Sequence, residues 1–253
     1  MKLIGILRIK NQIKTIDECL SKLSSIVDEL IILDNGSTDG TLEAYKKYPK
    51  IKKILYTEGY EEGKNKIMLL EEAKLRNPDW IIWIDADEVF EDHFTREVAE
   101  EYMNSKYSRI TFRMCNFWLS KERCRFDEHY YLYNLHPQRS MWRNMPGTYF
   151  RDRKIHNGDI MGVTGKMFLS PYRIKHYGYV DRVDMQKKLD LYMETDKSGD
   201  RDYIRFINPN LPSKTYKYKE YKNKFWNYVY ILFYKYLCNT LWFVERIRIK
   251  IFK

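Results

Sequence analysis

Four apolar runs in the first third of the chain, each separated from the next by a stretch with helical spacing, constrain the fold more than any other feature. Leu3 to Ile9 is the first run, and Ile16, Leu20, Leu23 and Val27 then recur at helical intervals, with Thr15 or Asp17 placed to cap the helix start. Glu29 to Leu33 is the second run. It ends in the turn formers Asp34-Asn35-Gly36-Ser37-Thr38-Asp39-Gly40, and Leu42 to Tyr48 follows as a helix stopped by Pro49. Lys53 to Tyr56 gives a third strand and Lys64 to Arg76 a third helix ended by Asn77-Pro78. Trp80 to Ile84 gives a fourth strand that runs into Asp85. A βαβαβαβ order of this kind predicts an α/β fold with a mainly parallel sheet covered by helices, whose ligands sit beyond the carboxyl ends of the strands.

Both acidic turns fall at such strand ends. In Trp80-Ile81-Ile82-Trp83-Ile84-Asp85-Ala86-Asp87-Glu88, extended alternation would put Asp85 and Asp87 on one side. Two hard oxygen donors there suit Mn2+ or Mg2+, and such a cation can bridge a diphosphate. An isolated D-x-D is also a common way to end a strand in water, so the neighbouring motifs have to carry the argument.

Taken in order, those motifs resemble the family 2 glycosyltransferases, nucleotide-sugar-dependent enzymes with a GT-A (Rossmann-like) fold. Arg8-Ile9-Lys10-Asn11 is similar to the family's first strand end, Asp34-Asn35-Gly36-Ser37-Thr38-Asp39-Gly40-Thr41 to its second, and Gly63-Lys64-Asn65 to its Gly-x-Asn helix start. Asp85-Ala86-Asp87-Glu88 stands where the family has its metal motif, and Ile174-Lys175-His176-Tyr177-Gly178-Tyr179 resembles its late metal-binding histidine. The likeness covers residues 3 to about 195. It implies a metal held by Asp85, Asp87 and His176, and a donor nucleotide contacted by Arg8, Lys10, Asn11, Asp34, Asn35, Lys64, Asn65, Asp85 and Ala86. The alternative for Asp34 to Thr41 is an ordinary Asx-rich turn.

The resemblance further implies an inverting transfer, which needs a base for the acceptor hydroxyl. Where relatives would carry a His-Glu, this chain has His156-Asn157-Gly158-Asp159, and an amide accepts no proton. The role falls to His156, to Asp159 or to the Asp127-Glu128-His129 cluster, with His156 the first choice.

Forty-five lysines and arginines against 35 acidic residues give a net charge of +10, which favours anionic partners. A nucleotide-diphosphate sugar and a glycan or lipid-linked acceptor fit that sign. A nucleic-acid module would not place two carboxylates at the centre of its surface, so no nucleic-acid partner is expected. A haloacid dehalogenase-like phosphatase would share the DADEV pattern, but its motif follows the first strand rather than the fourth.

Residues 1–212 are expected to form the catalytic domain. From Ser213 lysines interleave with aromatic residues, and Phe225 to Val244 holds one charge, Lys235. That composition predicts a C-terminal helical tail over 213–253, lying on a membrane surface or packed on the protein. Four cysteines without metal-ligand spacing, and an N-terminal run too short for a signal peptide, point to the cytoplasm and to the inner face of its membrane.

Overall fold

A computed structural model of the chain describes residues 1–59, 61–125, 139–154, 158–196, 203–210 and 213–220. The first half follows the expected alternation: β1 (Leu3–Ile9), α1 (Ile16–Ile26), β2 (Glu29–Asp34), α2 (Thr41–Ala44) continued by a 3-10 turn at Tyr45–Lys47, β3 (Ile51–Tyr56), α3 (Glu62–Lys74) and β4 (Trp80–Trp83). There follow β5 (Glu88–Phe90), α4 (Arg96–Met103), β6 (Tyr107–Asn116), β7 (Arg123–Arg125), β8 (Arg139–Arg143), β9 (Lys166–His176), α5 (Arg182–Thr195), α6 (Tyr203–Ile207) and β10 (Thr215–Lys217).

Eight strands form one sheet in the order β3-β2-β1-β4-β8-β6-β9-β5. The pairs β3–β2, β2–β1, β1–β4 and β6–β9 are parallel, whereas β8 runs against both β4 and β6, and β5 runs against β9. The sheet is therefore mixed but mostly parallel. Hydrophobic burial covers both faces, because alternate residues of each strand point to opposite sides. Leu3, Leu7, Leu30, Ile32, Trp80 and Ile82 pack with α1 and α4, while Ile4, Ile6, Ile31, Leu33, Ile81 and Trp83 pack with Leu69, Leu70 and Ala73 of α3. Strands covered on both faces read as continuous apolar runs, which is how they announce themselves in the sequence.

Three local expectations change. Thr15 stands at the N-cap of α1 but makes no side-chain cap; its hydroxyl donates instead to the Ala86 carbonyl at 3.1 Å. Pro49 does follow a helical segment, but only Thr41–Ala44 is α-helix and the remainder tightens to 3-10. Asp85 to Glu88 is not extended. The chain closes a turn there, with Glu88 N–H donating to the Asp85 carbonyl at 3.1 Å and the Asp85 N–H donating to Glu88 Oε2 at 2.9 Å.

The second half is closed by a buried ion pair. Arg173 of β9 donates from Nε to Glu91 Oε1 at 2.8 Å and from its backbone N–H to Glu91 Oε2 at 2.8 Å. Tyr218 adds a third donor to the same carboxylate at 2.7 Å, and Arg173 Nη2 reaches the Lys219 carbonyl at 2.7 Å. The first residues of the expected tail are thus tied to the sheet, with β10 pairing antiparallel to β7. Residues 221–253 lie outside the described residues. Among the described residues, no helix is long and apolar enough to cross a membrane.

Candidate active site at the carboxyl edge of the sheet

Parallel pairing brings the carboxyl ends of β1, β2 and β4 to one edge, with Ile9 beside Asp34 and Ile6 beside Trp83. The 85–88 turn leaves that edge held from below, since Thr15 donates to the Ala86 carbonyl and the Tyr177 N–H donates to the Asp87 carbonyl at 2.8 Å. Ala86 is buried, so it can offer only backbone to a ligand.

The turn sends its carboxylates in different directions. Asp85 ion-pairs with the Arg139 guanidinium, which also donates from Nε to Glu88 Oε2 at 2.8 Å. Asp87 faces His176 Nε2 and Lys188 Nζ, each 3.4 Å from its Oδ2. Burial opposes ionisation of Asp87, but the charges of Lys188 and His176 overcome it and hold the carboxyl well below its ordinary value. Burial pushes the neighbouring Glu88 carboxyl upward, against the pull of Arg139.

His176 reaches the site because β9 pairs antiparallel with β5, which sets it opposite Glu88. Its Nδ1 lies 2.6 Å from Asn116 Oδ1, the last residue of β6. An amide oxygen only accepts, so Nδ1 carries a proton and Nε2 is the ring nitrogen turned to Asp87. A ring nitrogen and a carboxylate oxygen facing one another supply two donors for a cation. Such a tethered imidazole is also the usual form of a metal-binding histidine. Gly178 marks the place: a Cβ built on it would fall 2.6 Å from both Asp87 Oδ2 and His176 Nε2. One ligand atom each from Asp87, Glu88 and His176 lies within 4.8 Å of the others. These oxygen and imidazole donors fit Mn2+ or Mg2+. Of the three expected ligands, the fold gathers Asp87 and His176, while Asp85 is turned to Arg139 and Glu88 stands nearer.

At the other side of the edge, the first two strand ends are bound to one another. Asn11 has a φ of 51°, its N–H donates to Ser37 Oγ at 3.0 Å, and its Oδ1 accepts from Thr38 N–H at 2.7 Å. Asp34 is fully buried, and its carboxylate accepts from Ser37 N–H at 2.7 Å, Ser37 Oγ at 2.8 Å and Tyr45 Oη at 2.7 Å. Asn35 donates to Thr57 Oγ1 at 2.6 Å. These contacts are those of an Asx-type turn organiser. Arg8 is half-buried on β1 and Lys10 is exposed beyond it.

At the start of α3, Lys64 is exposed and lies 3.8 Å from Glu61, whereas Asn65 is buried, with its Nδ2 unpaired among the described residues. Gly63 admits another segment: a Cβ there would fall 2.4 Å from Arg153 N. The Glu62 and Gly63 N–H groups donate to the Lys154 and Arg153 carbonyls at 3.0 and 2.9 Å. Buried Lys66 bonds Glu62 at 2.8 Å and the Gly158 carbonyl at 2.9 Å. This anchors residues 154 and 158; His156 between them, like Asp127, Glu128 and His129, lies outside the described residues. Asp159 ion-pairs with Arg109 at 2.7 Å and accepts from Ser140 Oγ.

Sequence reasoning missed Asn116 and Lys188 as parts of this site, and read Glu88 only as a member of the acidic turn. Lys188 left a trace: Met185, Lys188, Leu189 and Tyr192 follow helical spacing, so a lysine sits on the stripe whose Met185 and Leu189 are buried. Asn116 left none, because its partner His176 comes from a strand pairing distant in sequence.

Among solved structures, S. aureus TarS is similar over 81% of this chain and 41% of its own, with a TM-score of 0.47 and 18% identity. A mannosyltransferase from Pyrobaculum calidifontis, in complex with GDP-Man and Mn2+, is similar over 81% of this chain and 67% of its own, with a TM-score of 0.42 and 14% identity. An uncharacterised glycosyltransferase of Mycoplasma pneumoniae is 25% identical over 122 residues, 46% of this chain and 37% of the relative, so the match spans little more than a third of that curated protein. Residues 6–172, well over half of the chain, match the family described as Glycosyl transferase family 2, and the chain belongs to that family.

Proposed function

We propose that this protein is a metal-dependent glycosyltransferase that moves a sugar from a nucleotide-diphosphate donor to a hydroxyl acceptor with inversion at the anomeric carbon. The observation that carries the reading is the His176–Asp87 pair, its imidazole oriented by Asn116 so that Nε2 and a carboxylate oxygen face one small space beside Gly178. Family membership supplies the reaction class. Bound there, a divalent cation would neutralise the diphosphate as it leaves.

The chain's own residues take the remaining roles in this proposal. Asp87 and His176 hold the cation, with Glu88 beside them and Asp85 exchanging Arg139 for it. Arg8, Lys10, Asn11 and Asn35 flank the nucleoside, and Asp34 keeps their turn rigid beneath it. Asn65, a buried amide with an open donor among the described residues, and Lys64 face the donor from α3. His156 removes the acceptor proton; Asp159, bound to Arg109, is the second candidate, and its ion pair weakens it as a base. Assembly of a cell-surface glycan or lipopolysaccharide, on a glycan or lipid-linked acceptor, suits the positive charge, with the 213–253 tail at the cytoplasmic face of the membrane.

Thermal unfolding with Mn2+ and a panel of nucleoside diphosphates tests the reading. One of them should add about 2.7 kcal/mol at a hundred times its Kd, and only with metal present. Asp87→Ala should abolish that response; a variant that responds as the wild type does would sink the site.

A further inference from the structure

Lys188 is a charged side chain brought into the site by a rigid element, and the sugar-transfer reading gives it no role. Its helix α5 is fixed at its start, where Asp181 accepts from the Val183 and Asp184 N–H groups at 2.9 and 3.0 Å. Lys14, in the loop before α1, ion-pairs with Asp184 at 2.7 Å and Asp181 at 3.2 Å. Met185 and Leu189, on either side of Lys188 along the buried stripe, pack with Trp118 and Tyr203. The lysine stem therefore starts from a set position, and only its side chain is free to turn.

The ammonium lies 3.4 Å from Asp87 Oδ2, well beyond the 2.7–2.9 Å typical of a charge-assisted bond, and Asp87 is its one hydrogen-bond partner among the described residues. It also lies 5.1 Å from the centre of the Tyr179 ring. The point that a Gly178 Cβ would occupy, 2.6 Å from the oxygen of Asp87 and the nitrogen of His176, is only 2.8 Å from Lys188 Nζ. A divalent cation at the Asp87–His176 pair and the ammonium would then compete for one carboxylate oxygen at a separation where like charges repel strongly. The lysine must give way when the cation binds. Its side chain is 26% exposed, so it can turn away from Asp87 towards solvent. On the reading above, the donor's diphosphate binds beside that cation, within reach of a lysine that has turned away.

We propose that Lys188 is a diphosphate-positioning residue that neutralises Asp87 in the empty site and transfers its ammonium to the donor's diphosphate when the cation takes Asp87. This inference rests on the nucleotide-sugar reading and assigns that site a second cation, one supplied by the protein. The exchange also couples the two ligands. Metal binding releases the ammonium, and the diphosphate then receives it.

The test uses the full chain, with Lys188→Met, Lys188→Gln and Lys188→Arg, and reads binding rather than turnover. With Mn2+ alone, followed by the electron paramagnetic resonance signal of the free ion, the Met and Gln variants should bind about three- to tenfold tighter than wild type, since a competing charge is gone. With saturating Mn2+, UDP, GDP, ADP, CDP and dTDP are titrated beside their nucleosides. Whichever diphosphate binds the wild type should bind the Met and Gln variants about 10- to 100-fold more weakly, the loss expected for one charge-assisted hydrogen bond. Its nucleoside should bind unchanged, and the Arg variant should retain most of the diphosphate affinity. Mn2+ affinity no tighter than wild type, or a nucleoside that weakens as much as its diphosphate, would overturn the assignment while leaving the functional reading in place. A wild type that binds Mn2+ but none of these diphosphates would overturn both.

Discussion

The carboxylates at the strand ends of residues 3–84 and those of the turn at residues 85–88 are held in opposite ways. In the first, Asp34 accepts three hydrogen bonds from Ser37 and Tyr45, and Asp39 accepts from the Ile13 N–H and from Thr41. Both carboxylates shape turns. In the second, Asp85, Asp87, Glu88, Arg139 and His176, with Lys188 of α5 beside them, form an ionic cluster with charges of both signs, and Asp87, His176 and Lys188 converge on the point beside Gly178. A carboxylate satisfied by backbone and hydroxyl donors stabilises a loop, whereas one facing other ionised groups has interactions that a ligand can rearrange. The difference separates scaffold from chemistry more reliably than the residue types do.

The strongest way to break this comparison is to remove a charge from the second half that is closed off rather than open. Glu91 and Arg173 have side chains only 2% and 8% exposed, and nothing in the proposed chemistry uses them. Glu91→Ala leaves a buried guanidinium without its carboxylate and should cost about 3–5 kcal/mol, read from urea unfolding. The exposed pair Lys46–Glu43 sets the contrast, since Glu43→Ala should cost about 0–1 kcal/mol. If Glu91→Ala proved as mild, the second half would be too plastic to hold a preset cluster.

Next in size is the link that turns His176 toward Asp87. Asn116→Leu keeps roughly the side chain's bulk but removes the oxygen that fixes the Nδ1 proton. Mn2+ affinity should fall about 10- to 100-fold, as is usual when the outer partner of a metal-binding histidine is lost, with the unfolding midpoint little changed. Unaltered Mn2+ affinity would mean that the ring orientation is set by β9 alone.

The same contrast explains what could be read from the chain in advance. Strands β1 to β4 are buried on both faces and separated by helices with regular periodicity, so each element is visible in a local window. The DADE turn and the Asp34 to Gly40 turn are contiguous segments and were equally visible. The groups around them are not: Asn116, which holds His176, Arg139, which pairs with Asp85 and Glu88, and Lys188, which faces Asp87, come from β6, β8 and α5, and the strand residues meet only because β8 inserts between β4 and β6 and β9 pairs with both β6 and β5. Asp85 illustrates the cost of local reasoning. Extended geometry would align it with Asp87, but Glu88 accepts the Asp85 N–H, the chain turns, and Asp85 meets Arg139 instead.

The smallest effect expected is also the sharpest test of the first half. Tyr45 Oη donates to Asp34 Oδ2, and burial together with that carboxylate pushes the phenol pKa far above its ordinary value, so it stays a donor at any working pH. Tyr45→Phe keeps the ring in the core and deletes one of the three bonds to Asp34. Ser37 still supplies two, so the turn should hold at a cost of about 1 kcal/mol. If Asp34 serves only to stiffen the turn, nucleoside affinity measured by calorimetry should stay within about twofold of wild type, because a loss of about 1 kcal/mol from the fold is not a loss from the contact. If Asp34 instead engages the base, a carboxylate with one fewer internal donor accepts more strongly from a ligand, and nucleoside affinity should rise while stability falls. The two readings predict the same melting curve and different binding isotherms, so the pair of measurements separates a turn-forming carboxylate from a ligand-binding one.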